Sequence, residues 1–191
     1  MISVRNRAHP AVRAVLVGAY ILCVEWARAL IATQPRMAIA SLVLSLILGG
    51  VALGLVAVGW PADRLGLGTS RIGLRIIGGF ALGAVLLLPA AARSGAVPIL
   101  PAGLAAAAVA ISVGEELAFR GALYAALDEL GGAPLAIVGS TVLWTAAHAL
   151  SHPPEFLGAV AAAGLLLALW RWACRDLVAP VIGHVIADLA L

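Results

Sequence analysis

The sequence predicts an all-α fold, a polytopic transmembrane helical bundle of about seven helices, and three observations carry that prediction. Of its 191 residues, 63% are apolar and only 11% are charged. Mean hydropathy is +1.10, a balance that water-soluble globular domains do not reach. The third observation is where turn chemistry falls. Trp60-Pro61-Ala62-Asp63, Gly131-Gly132-Ala133-Pro134 and His152-Pro153-Pro154-Glu155 separate apolar stretches, and each stops a helix by removing donors or loosening the backbone. Since a helix needs roughly 20 apolar residues to cross the hydrocarbon, the chain has room for about seven crossings and no separate soluble domain.

In chain order the apolar spans fall at 14–35, 37–59, 76–92, 97–127, 133–150, 157–172 and 177–191. The first contains Glu25 and Arg28, each costing roughly 2.5–3.5 kcal/mol at mid-membrane unless they pair at their i,i+3 spacing. Such a segment could lie on the membrane surface, but charge bias argues that it crosses. Arg5, Arg7 and Arg13 precede it, and Arg64, Arg71 and Arg75 follow the second span. Both clusters are cytoplasmic only if two crossings separate them. Continuing the alternation puts Arg171 and Arg175 inside as well, giving eight loop arginines inside against Arg36 and Arg93 outside, with the amino terminus cytoplasmic. The basic start and apolar run resemble a signal peptide, but the run is too long and too charged, so the segment is expected to be retained. Gly50 with Gly54 and Gly79 with Gly83 have the four-residue spacing that lets membrane helices approach closely, and internal packing is the simpler use for them than dimerisation. The chain ends three residues after Asp188, so a short last helix is expected.

Several classes are excluded. Cys23 and Cys174 have no metal-type spacing and form no disulfide framework. All twelve basic residues are arginines, spread over short loops with a net charge of +3, which gives nucleic acid no basic patch to bind. The absence of lysine beside abundant Ala, Arg and Gly fits a GC-rich bacterial genome and therefore a bacterial plasma membrane.

Ionisable groups inside a membrane are costly and by default paired or functional, and here they concentrate in the second half. In Ser112-Val113-Gly114-Glu115-Glu116-Leu117-Ala118-Phe119-Arg120, helical geometry puts Glu116 and Arg120 within about 40° of each other, a salt-bridge spacing, and turns Glu115 about 140° from Arg120. Glu116 is thus expected in a structural ion pair and Glu115 as a free carboxylate that can trade a proton with water, a general-base candidate. Trp144 and His148 share a helix face about one turn apart, as do His184 and Asp188. If the three helices pack together, Glu115, His148, His184 and Asp188 converge on a small polar cavity able to activate water. Blander readings exist for each. His148 could cap its helix near the loop containing His152, and His184 with Asp188 could be a mutually satisfied pair. His9, His152, Glu155, Asp128 and Glu129 lie in or beside loops and receive no role.

Glu115-Glu116-x3-Arg120, Trp144-x3-His148 and His184-x3-Asp188 resemble, in order and spacing, the three motifs of the CPBP family. That family comprises type II CAAX prenyl endopeptidases of the Ras-converting kind and bacterial homologues called Abi proteins, linked to bacteriocin processing and self-immunity. The likeness covers about residues 65–191, including Leu65-Gly66-Leu67-Gly68, and divides one integrated membrane domain into an amino-terminal hairpin, 1–64, and a CPBP-like core, 65–191. The resemblance implies an intramembrane endopeptidase acting on a membrane-associated protein or peptide. In that picture Glu115 and His148 activate water, Glu116 and Arg120 support the site, and His184 and Asp188 polarise the scissile carbonyl. Trp144 stands where the family usually has phenylalanine. Asp188 stands where asparagine is frequent, and an ionised aspartate cannot donate to an oxyanion. It must be protonated, hold the His184 tautomer or bind metal, and the orienting role is favoured.

A metal remains open on the sequence. Glu115, His148 and His184 could supply the three ligands of a catalytic Zn2+, as in a metalloprotease. The H-E-x-x-H signature is absent, however, and the same residues could act without metal. Two other classes stay in view. One is a noncatalytic immunity or adaptor protein that keeps the constellation. The other is a small transporter, which would show inverted repeats that this sequence lacks.

Overall fold

The computed structural model describes residues 9–91 and 100–190, so Arg5, Arg7 and Arg93 lie outside the described residues. Among those described there are helices and no strands. Helix α1, Pro10–Ala32, starts with proline at its first position and with the His9 ring accepting from the Ala11 N–H, both favourable where backbone donors lack partners. Helix α2 is Ile39–Leu55, and α3 is the single turn Ala62–Leu65, stopped by Gly66 at φ 79°. Helix α4 is Ile72–Ala91. The predicted span 97–127 corresponds to α5, Ala102–Glu116, a π-helical segment, Leu117–Leu123, and the start of α6, Tyr124–Ala147. Helix α6 breaks at Gly131 and Gly132, the latter at φ 74°, as its turn chemistry predicts. There the chain folds back, and a Cβ on Gly139 would meet the Leu127 side chain. Short 3-10 turns, His148–Leu150 and Pro154–Phe156, lead to α7, Leu157–Cys174, and α8, Val178–Leu189. The Asp176 carboxylate accepts from the Val178 and Ala179 N–H groups at 2.9 and 3.2 Å, a start that complements the helix dipole.

Pro10–Ala32, Ala102–Leu150 and Pro154–Cys174 are long and apolar enough to cross a membrane, and the second of these makes two passes because it reverses at Gly131-Gly132. Ile39–Leu55, Ile72–Leu88 and Val178–Leu189 are shorter apolar helices. The 12 residues of α8 reach about 18 Å, less than the hydrocarbon thickness of about 30 Å. Large apolar side chains such as Leu44, Leu48, Val51 and Leu55 on α2 face outward, as lipid contact requires. This is an integral membrane protein.

Small residues set the closest helix contacts. A Cβ on Gly50 would overlap the Ala110 carbonyl, and one on Gly114 would overlap the Gly50 carbonyl, so α2 and α5 touch backbone to backbone. Gly79 and Gly83 lie against Ile182 and Ile186 of α8. The glycine pairs are therefore spent inside the molecule.

Arginines gather at one end of the bundle. Arg13 and Arg64 both pair with Glu129, the latter at 3.7 Å, and Arg75 pairs with Asp176 at 3.5 Å. Arg171 donates to the Arg64 carbonyl at 2.7 Å. Glu129, given no role from its loop position, clamps two arginines from distant segments.

Candidate active site

Glu115 and Glu116 close α5 where the ladder loosens into the π-helical turns, a distortion often found at functional sites. Arg120, fully buried within those turns, donates from Nη1 to Glu116 Oε1 at 2.8 Å and from Nη2 to the Gly164 carbonyl at 3.2 Å. Its guanidinium lies 4.0 Å from the centroid of the Trp144 ring. The ion pair expected from the i,i+4 spacing is present, and Glu116 does more than neutralise Arg120. The same Oε1 accepts from His184 Nδ1 at 3.0 Å. Since Glu116 is held as an acceptor by Arg120, Nδ1 carries the hydrogen.

Glu115 points the other way, as the helix angle predicts, but it is not free. Arg28 Nη2 donates to its Oε1 at 2.6 Å and also pairs with Glu25. Arg28 lies 87 positions earlier in the chain, so no local periodicity could reveal the contact. The second oxygen, Oε2, faces His148 Nε2 at 3.9 Å and His184 Nε2 at 3.8 Å. His148 Nδ1 lies 2.8 Å from the Trp144 carbonyl. A carbonyl only accepts, so the hydrogen is on Nδ1 and a lone pair at Nε2 looks toward Glu115. The capping position and the site position thus belong to the same histidine.

Asp188 lies 3.4 Å from His184 Nε2. Because Glu116 holds Nδ1, Glu116 rather than Asp188 fixes the His184 tautomer. Ser112 Oγ is 2.7 Å from Asp188 Oδ2 and 2.7 Å from the Ala108 carbonyl, two oxygens for one hydroxyl hydrogen. Trp144 is buried, donates from Nε1 to the Val160 carbonyl at 3.1 Å, and meets Phe119 and His184 edge to face. The supporting residues Glu116, Arg120 and Trp144 therefore form one packed unit beneath His184.

Glu115, His148, His184 and Asp188 converge on one wall of a cavity of about 500 Å³ whose remaining lining is largely apolar, from Leu86 of α4, Ile111 of α5 and Leu166 of α7 among others. It uses the amino-terminal half of α7, whereas the arginine-rich end uses Arg171 and Arg175. The cavity and the arginines thus occupy opposite ends of that helix. Ser151 and His152 reach the same cavity, and His152 stacks on Phe156, although its loop position gave no reason to single it out. Glu25, Arg28 and Ser112 were also not singled out for the site. Ser112 had a legible signal, lying three residues before Glu115 on the same helix face.

Glu115, His148 and His184 do not fit a metal as they are placed. Arg28 occupies one Glu115 oxygen, and no group of three or more His, Cys, Asp or Glu among the described residues has ligand geometry.

Residues 97–190 match the model of the type II CAAX prenyl endopeptidase Rce1-like family. No curated protein and no solved structure matches the chain. The matched stretch runs through α5, the π-helical turns, α6, α7 and α8 and contains all three motifs together with the cavity wall they form. Over residues 97–190, just under half of the chain, the protein is similar to the type II CAAX prenyl endopeptidase Rce1-like family.

Proposed function

We propose that the protein is an intramembrane endopeptidase that hydrolyses a peptide bond in a membrane-associated protein or peptide, using a water held between Glu115 and His148. One observation carries this reading. The Nε2 atoms of His148 and His184 both face Glu115 Oε2, at 3.9 and 3.8 Å, on the wall of a largely apolar cavity. A gap of that size between acceptor atoms suits a bridging water. Such a water donates one hydrogen to Glu115 Oε2 and the other to the His148 Nε2 lone pair, leaving an oxygen lone pair for the substrate carbonyl.

As that oxygen bonds to the carbonyl carbon, Glu115 takes the proton, and the oxyanion that forms is met by His184 Nε2 when that nitrogen carries hydrogen. The C–N bond then breaks, and the proton held by Glu115 passes to the departing amine. Each atom of the water is accounted for in the two new chain ends. Glu116 and Arg120 hold the His184 ring, and Asp188 with Ser112 borders its outer nitrogen. No step is routed through a metal.

The apolar lining suits a substrate that lies in or on the bilayer, with lipid as its surroundings. The gathering of Arg13, Arg64, Arg75, Arg171 and Arg175 at one end supports a cytoplasmic amino terminus in a bacterial plasma membrane. The cavity is then reached from the opposite side.

The test compares peptide ends in membranes from cells making the wild type or Glu115→Gln at matched abundance. New ends present only with the wild type support hydrolysis and name the substrate and the cut together. Identical end profiles would remove the endopeptidase reading.

A further inference from the structure

Helix α1 lies wholly outside the residues that match the family model, 97–190, yet it delivers two charges into the site. Glu25 is buried and Arg28 nearly so, on a helix whose other residues are mostly apolar. Leaving either charge unpaired in such surroundings is costly. An i,i+3 pair between them would alone neutralise both. Instead the same Arg28 nitrogen, Nη2, reaches Glu25 Oε2 and Glu115 Oε1 together.

We infer that Arg28, held by Glu25, is a positioning residue for Glu115, so that the amino-terminal hairpin is part of the active site. This rests on the proposed hydrolysis, in which Glu115 Oε2 takes the proton. The terminal torsion of a glutamate is broad and soft, so a carboxylate with no fixed partner presents either oxygen in many orientations. Tying Oε1 to Arg28 fixes the carboxylate plane and turns Oε2 toward both imidazoles. Among the described residues, Arg28 supplies the guanidinium bonded to Glu115. Glu25 also contacts the Glu115 carboxyl, and the remaining ionisable groups around it have further partners. Glu116 is taken by Arg120 and His184, His148 by the Trp144 carbonyl, and Asp188 by Ser112.

The surroundings of Arg28 hold it in place. Its stem runs across Gly49 of α2, where a Cβ would sit 3.0 Å from Arg28 Cδ, so a glycine there leaves the path open. Trp26, two residues earlier, donates from Nε1 to the Ala146 carbonyl at 3.1 Å. This fastens α1 to the last turn of α6, just before His148. One helix therefore fixes the distance between the group that orients Glu115 and the backbone that carries its partner histidine. Arg28 Nε is buried without a hydrogen-bond partner in the structure.

The experiment uses the full-length protein reconstituted in lipid and a synthetic peptide spanning the cut site read from the membrane ends. It compares the wild type, Glu115→Gln, Arg28→Gln, Arg28→Lys and Gly49→Val, each with its melting curve. Misplacing a reacting group by about 1 Å costs about 100-fold. That is the expected fall in kcat for Arg28→Gln, with KM unchanged and a lower melting temperature because Glu25 and Glu115 lose their shared cation. Arg28→Lys restores part of the rate because it keeps a cation near Oε1. Gly49→Val lowers kcat in the same direction with every charge retained, so it tests position even where Arg28→Gln fails to fold.

A dead Glu115→Gln beside fully active Arg28→Gln and Gly49→Val would overturn the inference and leave the endopeptidase reading standing. Loss of rate only in proportion to lost folded protein, with Arg28→Lys no better than Arg28→Gln, would assign Arg28 to the scaffold and overturn it too. Equal membrane end profiles for the wild type and Glu115→Gln would remove both.

Discussion

Two arginines inside this bundle each bond to one of two adjacent glutamates. Arg120 takes Glu116 from its own helical run at 2.8 Å, packs on Trp144 and reaches the Gly164 carbonyl. Arg28 takes Glu115 from another helix and shares itself with Glu25. The first network is closed, with its side chains almost wholly out of solvent, and it ends on His184 Nδ1. The second borders the cavity and leaves a carboxylate oxygen facing two histidines. Adjacent residues of one sequence thus divide the work. In the proposed reaction Glu116 holds a ring in place, while Glu115 is held in place so that it can react.

The largest effect that would sharpen this division is on turnover. Replacing His148 or His184 by alanine removes a group facing Glu115 Oε2, and we expect peptide-end formation to fall about 10²–10⁴-fold while the protein remains folded by its melting curve. Wild-type turnover from either variant would erase the distinction between the two networks.

Arg120→Ala acts on the other network. It strands Glu116 in the interior, and breaking a buried pair costs about 3–5 kcal/mol. We expect loss of folded protein in detergent as well as loss of activity, with Arg120→Lys intermediate. A variant that melts like the wild type would show that the closed network is not the scaffold.

Gly50→Val has no chemistry and tests the frame between the two regions. Its side chain must push α2 from α5, an overpacking that costs about 1–3 kcal/mol, seen as a lower melting temperature. Because α2 carries Gly49 beside Arg28, activity should fall further than stability does.

Ser112→Ala is the mildest. It removes a hydrogen bond worth about 1 kcal/mol and leaves Asp188 without that hydroxyl. A small drop in melting temperature and a modest loss of rate are expected, and a loss as large as that for His184→Ala would place Asp188 nearer the chemistry.

The same contrast explains what could be read from the sequence. The helical fold was legible because lipid demands long apolar runs, and Gly131-Gly132-Ala133-Pro134 marked its reversal. Glu116 with Arg120, Trp144 with His148, and His184 with Asp188 were legible because each pair sits four residues apart on one helix. Contacts between helices carry no such period. Arg28 with Glu115, and Ser112 with Asp188 76 positions away, appear only once the helices are packed. The expectation that Glu115 is free failed for that reason. Glu116, 68 positions from His184, shares that ring with Asp188, a partner that no helix period reveals. Glu25 and Arg28 did leave a trace, as a charge pair that an apolar span should not contain.

The most direct test of the account sets Glu115→Gln beside Glu116→Gln in purified, lipid-reconstituted protein, measuring melting and cleavage of the peptide identified from membrane ends. The account predicts that Glu115→Gln melts like the wild type and does not cleave, whereas Glu116→Gln melts lower and loses cleavage along with its fold. Cleavage by a well-folded Glu115→Gln would contradict it.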